Sequence, residues 1–198
     1  MNGKRIFDIA ASSLGLVLLS PFLLLVSIAI KIDSRGPVFF RQVRAGQSKK
    51  TFRILKFRTM VTDAEKIGAQ ISSGDDPRIT TVGQFLRKYK LDEFPQLINV
   101  FKGEMSIVGP RPELPRFVEA YDDDYREILT VKPGITDFAS LEYKDENELL
   151  KAAEDPERQY LEEILPIKIS YYHKYLKEQS LKTDVTLILK TLWNIIFR

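Results

Sequence analysis

The chain has no cysteine among its 198 residues, which excludes disulfides and any thiolate-held metal. His173 is its single histidine and lies among Tyr171, Tyr172 and Tyr175, where packing or an interface contact is the expected role. A nucleophile and a base therefore have to come from carboxylate, hydroxyl, amine or metal-bound water. Zinc-ligand spacing, a helix-turn-helix signature and a basic–aromatic platform are all missing, so nucleic acid is not an expected partner. There is no internal repeat and no low-complexity segment. The length suits one sizeable core, one domain plus an appendage. The formal net charge is only +3, but it is unevenly spread. Lys and Arg crowd Lys31 to Arg58 against a single acid, Asp33, and acids dominate from Glu142 to Glu163. A basic stretch beside an apolar one suits an anionic membrane surface or a phosphorylated substrate.

Charge is missing altogether from Ile9 to Ile30, a run long enough to cross a bilayer as one helix of about 20 residues. It is too long for a signal-peptide core, and no small-residue cleavage site follows it. Ser20-Pro21 stands in its middle, where proline removes a backbone donor and predicts a break or kink. Lys4 and Arg5 precede the run; Lys31, Arg35, Arg41 and Arg44 follow it. Basic residues on both flanks favour the cytoplasmic side for both ends. On the residues alone, a spanning helix and a re-entrant hairpin stand level.

Downstream, Val38 to Val43 and Thr51 to Arg58 read as two strands of a β-hairpin across the turn Ala45 to Ser48. Thr62 to Gln70 and Thr81 to Lys88 read as helices, with a loop at Ser72 to Pro77 between them. Glu113 to Thr130 reads as one helix or a pair, Lys132-Pro133-Gly134 as a turn, and Glu146 to Ala153 as helical. Near the end, Asp184 is a candidate cap for a last amphipathic helix carrying Val185, Ile188, Leu189, Leu192, Trp193, Ile195 and Ile196. Its apolar face fits either the core or a lipid interface.

The chemistry concentrates at Leu91-Asp92-Glu93-Phe94-Pro95. Proline is favoured in a first helical turn, so Asp92 and Glu93 are expected where a helix opens, beside its unpaired N–H groups. Such a dyad can be a plain solvated helix start, or one carboxylate can attack phosphorus while the other holds a divalent cation. Arg87, Lys88 and Lys90 lie just upstream. Lys56 and Arg58 share a strand face and are candidates to reach the same oxygens. Arg111, set between Pro110 and Pro112, would be presented by a stiff loop for bidentate phosphate or base recognition, or would pair with a nearby carboxylate. Asp122-Asp123-Asp124 reads as a solvated face, because adjacent helical residues point apart.

These motifs, in this order, resemble the monotopic phosphoglycosyl transferases of the bacterial sugar transferase family. The resemblance runs from Lys4-Arg5-Ile6-Phe7-Asp8 and Ser20-Pro21 through Lys56-Phe57-Arg58-Thr59-Met60 and Asp76-Pro77-Arg78-Ile79-Thr80. It continues over Gly83 to Arg87, the Asp92-Glu93 dyad, Asn99-Val100, Lys102-Gly103 and Met105-Ser106, and ends with Val108 to Pro112 and Pro133-Gly134-Ile135-Thr136. It implies an α+β, mostly helical fold: a re-entrant membrane helix over residues 1–36 broken at Ser20-Pro21, and a cytoplasmic catalytic domain over residues 37–198. That domain would hold a small hairpin, a catalytic helix and interfacial amphipathic helices. It also implies the small form of the family, without further membrane helices ahead of this one.

The implied reaction moves a sugar 1-phosphate from a UDP-sugar to polyprenol (undecaprenyl) phosphate at the cytoplasmic face of the bacterial inner membrane. UMP leaves, as the first membrane step of exopolysaccharide, lipopolysaccharide or glycoconjugate synthesis. By the same resemblance the residue at Asp92 carries the covalent phospho-sugar, Glu93 ligates Mg²⁺, Arg87 contacts phosphate, and Arg111 with Pro110 and Pro112 belongs to the nucleotide region. A homodimer stays open. Two segments depart from the family pattern. Tyr89-Lys90 replaces small hydroxyl residues. Asp137 to Tyr143 replaces a Gly-Trp-Ala-Gln stretch, making Asp137, Ser140 and Glu142 candidates for sugar choice, with an N-acetylated hexose expected and a simple capping loop as the alternative. A non-catalytic membrane scaffold and a Mg²⁺-dependent diphosphate hydrolase are the competing classes.

Overall fold

The computed structural model describes residues 3–64, 76–142, 150, 153 and 155–197. The expected helix of 62–70, the loop of 72–77 and the helix of 146–153 fall largely outside these residues. The rest is mostly helical, with two small two-stranded sheets, as an α+β fold requires.

Helix α1, Gly3–Asp33, runs for 31 residues and contains Pro21. Of the expected break or kink, an interruption is not found: the helix continues through the Ser-Pro pair. Pro21 cannot donate to the carbonyl of Val17, four residues back. The Ser20 hydroxyl donates to that same carbonyl at 2.8 Å, so the acceptor freed by proline is satisfied locally. Only 11% of the most apolar window of α1 is buried, whereas the core helix of a soluble protein is mostly buried. Leu14, Val17, Leu18, Leu24 and Leu25 all lie exposed.

Both ends of α1 are fastened to the same body. At its start, Lys4 Nζ donates to Asp184 (2.5 Å) and to the Val108 carbonyl (3.0 Å). Arg5 donates to the Val100 and Phe101 carbonyls in the last turn of a helix, where carbonyls run short of intrahelical donors. Asp8 is buried and accepts from Ser106 Oγ and the Ile107 N–H. At its far end, Val26 and Ile30 pack with Phe57 and Leu86, and Asp33 accepts from the Val82 N–H at 3.1 Å.

Strands β1 (Phe39–Ala45) and β2 (Thr51–Phe57) form the expected antiparallel hairpin, with Phe39 opposite Phe57 and their rings stacked. Helix α2, Thr81–Lys88, has the expected bounds. Thr80 caps it by accepting from Gly83 N–H. Gly83 allows α2 to press against the chain after β2, since a Cβ there would stand 2.1 Å from the Thr59 carbonyl oxygen. Helix α3, Gln96–Lys102, ends at Gly103 in the left-handed conformation. Helices α4 (Pro115–Ala120) and α5 (Asp122–Ile128) are the expected pair.

Strands β3 (Ser106–Val108) and β4 (Gly134–Thr136) pair in parallel, a feature with no counterpart in the sequence reading. Gly134 donates to the Pro110 carbonyl at 2.9 Å, and a Cβ on it would lie 2.1 Å from Gly109 N. The Gly-Pro-Arg-Pro and Pro-Gly-Ile-Thr motifs thus meet backbone to backbone. The short helix α6 (Phe138–Glu142) follows, then α7 (Pro156–Gln159), which passes through one wider turn into α8 (Leu165–Glu178). Leu114, Phe117, Tyr125, Ile128, Leu165 and Tyr172 form the main core between α4, α5 and α8. Ser180, rather than Asp184, caps α9 (Leu181–Ile196), accepting from Thr183 N–H. Asp184 points inward, buried between Lys4 and Tyr175. Leu187 is buried, whereas Val185, Leu189, Leu192 and Trp193 stand exposed, so most of the apolar face of α9 is not used by the core.

Candidate active site

Leu91–Glu93 is a single 3₁₀ turn rather than the start of the following helix. Pro95 is the N-cap residue of α3, so the carboxylates sit one turn ahead of where the sequence predicts. Lys90 enters the turn at φ 57, ψ 22, the left-handed region that L-residues adopt at a cost.

The two carboxylates have opposite surroundings. Glu93 is clamped: Arg111 donates from Nη2 to Oε1 (2.5 Å) and from Nη1 to Oε2 (3.3 Å), and Lys56 Nζ donates to Oε1 at 2.8 Å. Burial alone would raise its pKa, but Arg111 and Lys56 more than offset this and hold it well below the usual carboxylate range. Asp92 is 8% exposed and accepts no hydrogen bond from the described residues. Burial raises its pKa, Lys56 opposes the rise, and the Glu93 charge adds to it. A buried carboxylate with unbonded oxygens beside cations has the attributes of a nucleophile, and a fixed, ionised neighbour has those of a cation ligand.

Arg87 approaches from α2 and donates from Nε to Thr59 Oγ1 at 2.9 Å. Burial depresses its pKa, and Asp92 and Asp76 oppose this. With Lys56, Arg44 and Arg111 it lines a cavity of about 510 Å³ that contains both Asp92 and Glu93. Arg58 edges the same cavity but is committed elsewhere. Its guanidinium donates to the carbonyls of Ser34, Arg35 and Pro37 and to Ser34 Oγ, all within 2.9 Å. That places it under the turn after α1 rather than reaching an anion beside Lys56. Arg58→Met removes the buried guanidinium that joins these carbonyls, and we expect a loss of about 3 kcal/mol. The melting temperature in detergent should fall by roughly 5–10 °C. An unchanged melting temperature would contradict this role.

The sequence marks Arg44 only as a basic flank of the apolar run. It is half-buried, donates to the Pro112 carbonyl at 3.1 Å and lies 3.7 Å from Glu113, so it steadies the loop that presents Arg111. Nothing local in the sequence marks it, because its role depends on what β1 faces.

A second cavity of about 490 Å³ lies on the other side, between the 3₁₀ turn and helices α6, α8 and α9. Lys90, Glu93 and Arg111 line both cavities and form their common wall. Of the three sugar-choice candidates, Ser140 lines this second cavity. Asp137 is buried at the start of α6 and accepts from Ser140 N–H at 2.5 Å, which is the capping arrangement. Glu142 faces a separate shallow hollow with Leu189 and Lys190. Lys168 and Tyr172, which no motif singled out, also line the second cavity. His173 bridges α8 to Asp124 and Glu127 of α5, an interelement contact as expected. Asp122 pairs with Lys49 and Arg126 at the surface.

The 3₁₀ turn thus carries one clamped and one unbonded carboxylate, ringed by arginines and lysines, in a chain whose helix α1 is apolar and exposed; cations so placed can neutralise the oxygens of a phosphate. Comparison with known proteins gives the lineage. The family model described as Bacterial sugar transferase matches residues 1–198, and the chain belongs to that family. It is 39% identical over 98% of its length to the UDP-N-acetylgalactosamine-undecaprenyl-phosphate N-acetylgalactosaminephosphotransferase of Aeromonas hydrophila, covering 43% of that protein. It is 37% identical over 96% of its length to the UDP-glucose:undecaprenyl-phosphate glucose-1-phosphate transferase of Escherichia coli K12, covering 39% of it. It is 33% identical over 96% of its length to the exopolysaccharide production protein ExoY of Sinorhizobium fredii, covering 83% of it. The chain thus spans less than half the length of the first two of these relatives.

Proposed function

We propose that the protein is a phosphoglycosyl transferase that moves a sugar 1-phosphate from a UDP-sugar to undecaprenyl phosphate, in two displacements through Asp92. The observation that carries the reading is the unbonded, buried Asp92 carboxylate held next to the clamped Glu93. In the first displacement an Asp92 oxygen bonds to the sugar-bearing phosphorus. The bond from that phosphorus to the bridging oxygen breaks, and UMP leaves with the oxygen. In the second, an oxygen of the lipid phosphate bonds to the same phosphorus and the Asp92 carboxylate is released, giving a lipid-diphospho-sugar. Arg87 and Lys56 neutralise phosphoryl oxygens as charge shifts to the leaving group.

Mg²⁺ suits this donor set. Hard carboxylate oxygens, one or two in number, are what that ion takes from a protein when substrate phosphates and water complete its shell. Glu93 would hold it, and when bound it supplies charge neutralisation to the diphosphate. The described residues contain no cluster of three acidic or histidine ligands, consistent with a cation shared with substrate rather than caged.

The reading places α1 in one leaflet of the cytoplasmic membrane as a re-entrant helix. Its support is geometric. Lys4 and Asp8 at one end and Ile30 and Asp33 at the other are tied to one body. Phe22, one residue past Pro21, packs against Phe94 beside the dyad. A helix that crossed about 30 Å of hydrocarbon could not keep all these contacts on one side. Tags placed before Lys4 and after Phe197 should both be reachable only from the cytoplasm, as read by impermeant labelling of intact cells. A tag labelled from the periplasm would refute the topology.

The reaction is tested with a panel of UDP-sugars, Mg²⁺ and undecaprenyl phosphate, measuring UMP and lipid product together. UMP release accompanied by free sugar phosphate would favour hydrolysis. Two relatives are named for different sugars, N-acetylgalactosamine and glucose, so the panel rather than kinship identifies the donor.

A further inference from the structure

The second cavity has no part in the donor chemistry described above, and its lining is unlike that of the first. Around Asp92 the wall is crowded with cations: Lys56, Arg44, Arg78 and Arg87. The second cavity is rimmed by Phe94, Ile135, Leu141, Trp193 and Phe197. Trp193 and Phe197 are 64% and 65% exposed, with ring centroids 4.1 Å apart, and they continue the bare apolar face of α9. Phe94, on the opposite wall, rests on Phe22 of α1. The cavity therefore lies between Phe94, seated on α1, and the exposed apolar face of α9, and it shares Lys90, Glu93 and Arg111 with the first cavity.

Three cations reach this cavity. Arg111 is bound to Glu93. Lys168 is 2% exposed and donates to the Tyr160 hydroxyl. The Lys90 ammonium has no hydrogen-bond or ion-pair partner among the described residues, and it lines both cavities two positions before Asp92. A lysine held in the left-handed conformation, partly buried and with its three donors unused, is poorly explained as scaffolding.

We propose that Lys90 binds the phosphate of the lipid acceptor, and that the cavity between α6, α8 and α9 is the acceptor's berth. This rests on the two-displacement reading. The charged head would lie on Lys90 at the common wall, and the first units of the chain would run out along Phe94, Trp193 and Phe197 to the bilayer. Donor and acceptor then approach the Asp92 phosphorus from opposite sides of the Glu93–Arg111 pair. The acceptor oxygen attacks as the Asp92–phosphorus bond breaks, so no proton or further reactant is needed.

The test compares wild type with Lys90→Gln and Lys90→Arg, full chain in nanodiscs. One reading is the lipid-independent burst of UMP from the UDP-sugar; the other is KM for undecaprenyl phosphate and for farnesyl phosphate. Loss of a charge-assisted hydrogen bond should raise both lipid KM values roughly 10- to 100-fold in Lys90→Gln. The donor KM should stay within about twofold, and Lys90→Arg should recover much of the loss. Inorganic phosphate should compete with both lipids in the wild type and lose that effect in Lys90→Gln. A slower burst or raised donor KM with unchanged lipid KM would overturn the assignment and give Lys90 to the donor. Unchanged values throughout would overturn it as well. A wild type with no lipid-independent burst would instead sink the two-displacement reading, while a raised lipid KM in Lys90→Gln would still uphold the acceptor site.

Discussion

Asp92→Asn is expected to abolish turnover and to leave no sugar phosphate on the protein when UDP-sugar is supplied without lipid. An amide cannot supply the oxygen pair that forms the acyl phosphate, and Glu93, the nearest carboxylate, is held at both oxygens by Arg111 and Lys56. No neighbour can take over, so the loss should be several orders of magnitude in kcat/KM. Mass spectrometry of the intact protein after a single turnover checks the adduct directly. The nucleophile must be ionised, and burial first, with the Glu93 charge adding to it, raises the Asp92 pKa despite Lys56. The first displacement should therefore slow as pH falls through that raised pKa, at a higher pH than for an ordinary aspartate. Substantial activity of Asp92→Asn, or a burst insensitive to acid down to the usual aspartate range, would show that another group attacks.

The second large effect is expected at Glu93. Glu93→Gln removes a charge that Arg111 and Lys56 are built around, and a neutral amide is a poor ligand for a hard cation. Arg111 and Lys56 would then be left as partly buried cations with a weakened partner. Activity should fall by about 10²-fold or more and become far less responsive to added Mg²⁺, and chelator should silence the wild type. Unlike Asp92→Asn, this variant should still accumulate adduct on long incubation, because the nucleophile survives. Full wild-type activity in excess chelator would remove the metal from the scheme.

Much of the fold was legible because it is local. Alternation predicted the hairpin, and the run from Thr81 to Lys88 carries its own Thr cap and apolar spacing. What was missed is non-local. Strands β3 and β4 span three residues each, too few for any periodicity, and exist because Gly109 and Gly134 let two backbones touch. Asp184 and Ser180 are both good capping residues four positions apart. Only the presence of Lys4 and Tyr175 decides that the aspartate turns inward. Lys56 and Arg58 alternate identically on paper. One meets Glu93 and the other meets the turn after α1, a difference written in distant residues. The same holds for Arg111, whose partner turned out to be the dyad itself.

The fastening of α1 constrains how the molecule can be made. Lys4 meets Asp184 across 180 positions of chain, and Asp8 meets Ser106 across 98. Helix α1 thus leaves the ribosome well before residues that hold its leading end, Ser106 and later Asp184 among them, have been synthesised. Contacts so distant in sequence carry a large loop-closure entropy before any reward, which slows folding. Through that interval the helix depends on lipid, or on a holding factor, to shield its apolar surface from aggregation. On the membrane placement proposed above, insertion and folding are one process, and an early stop in translation before α9 would leave α1 with Lys4 lacking its Asp184 partner.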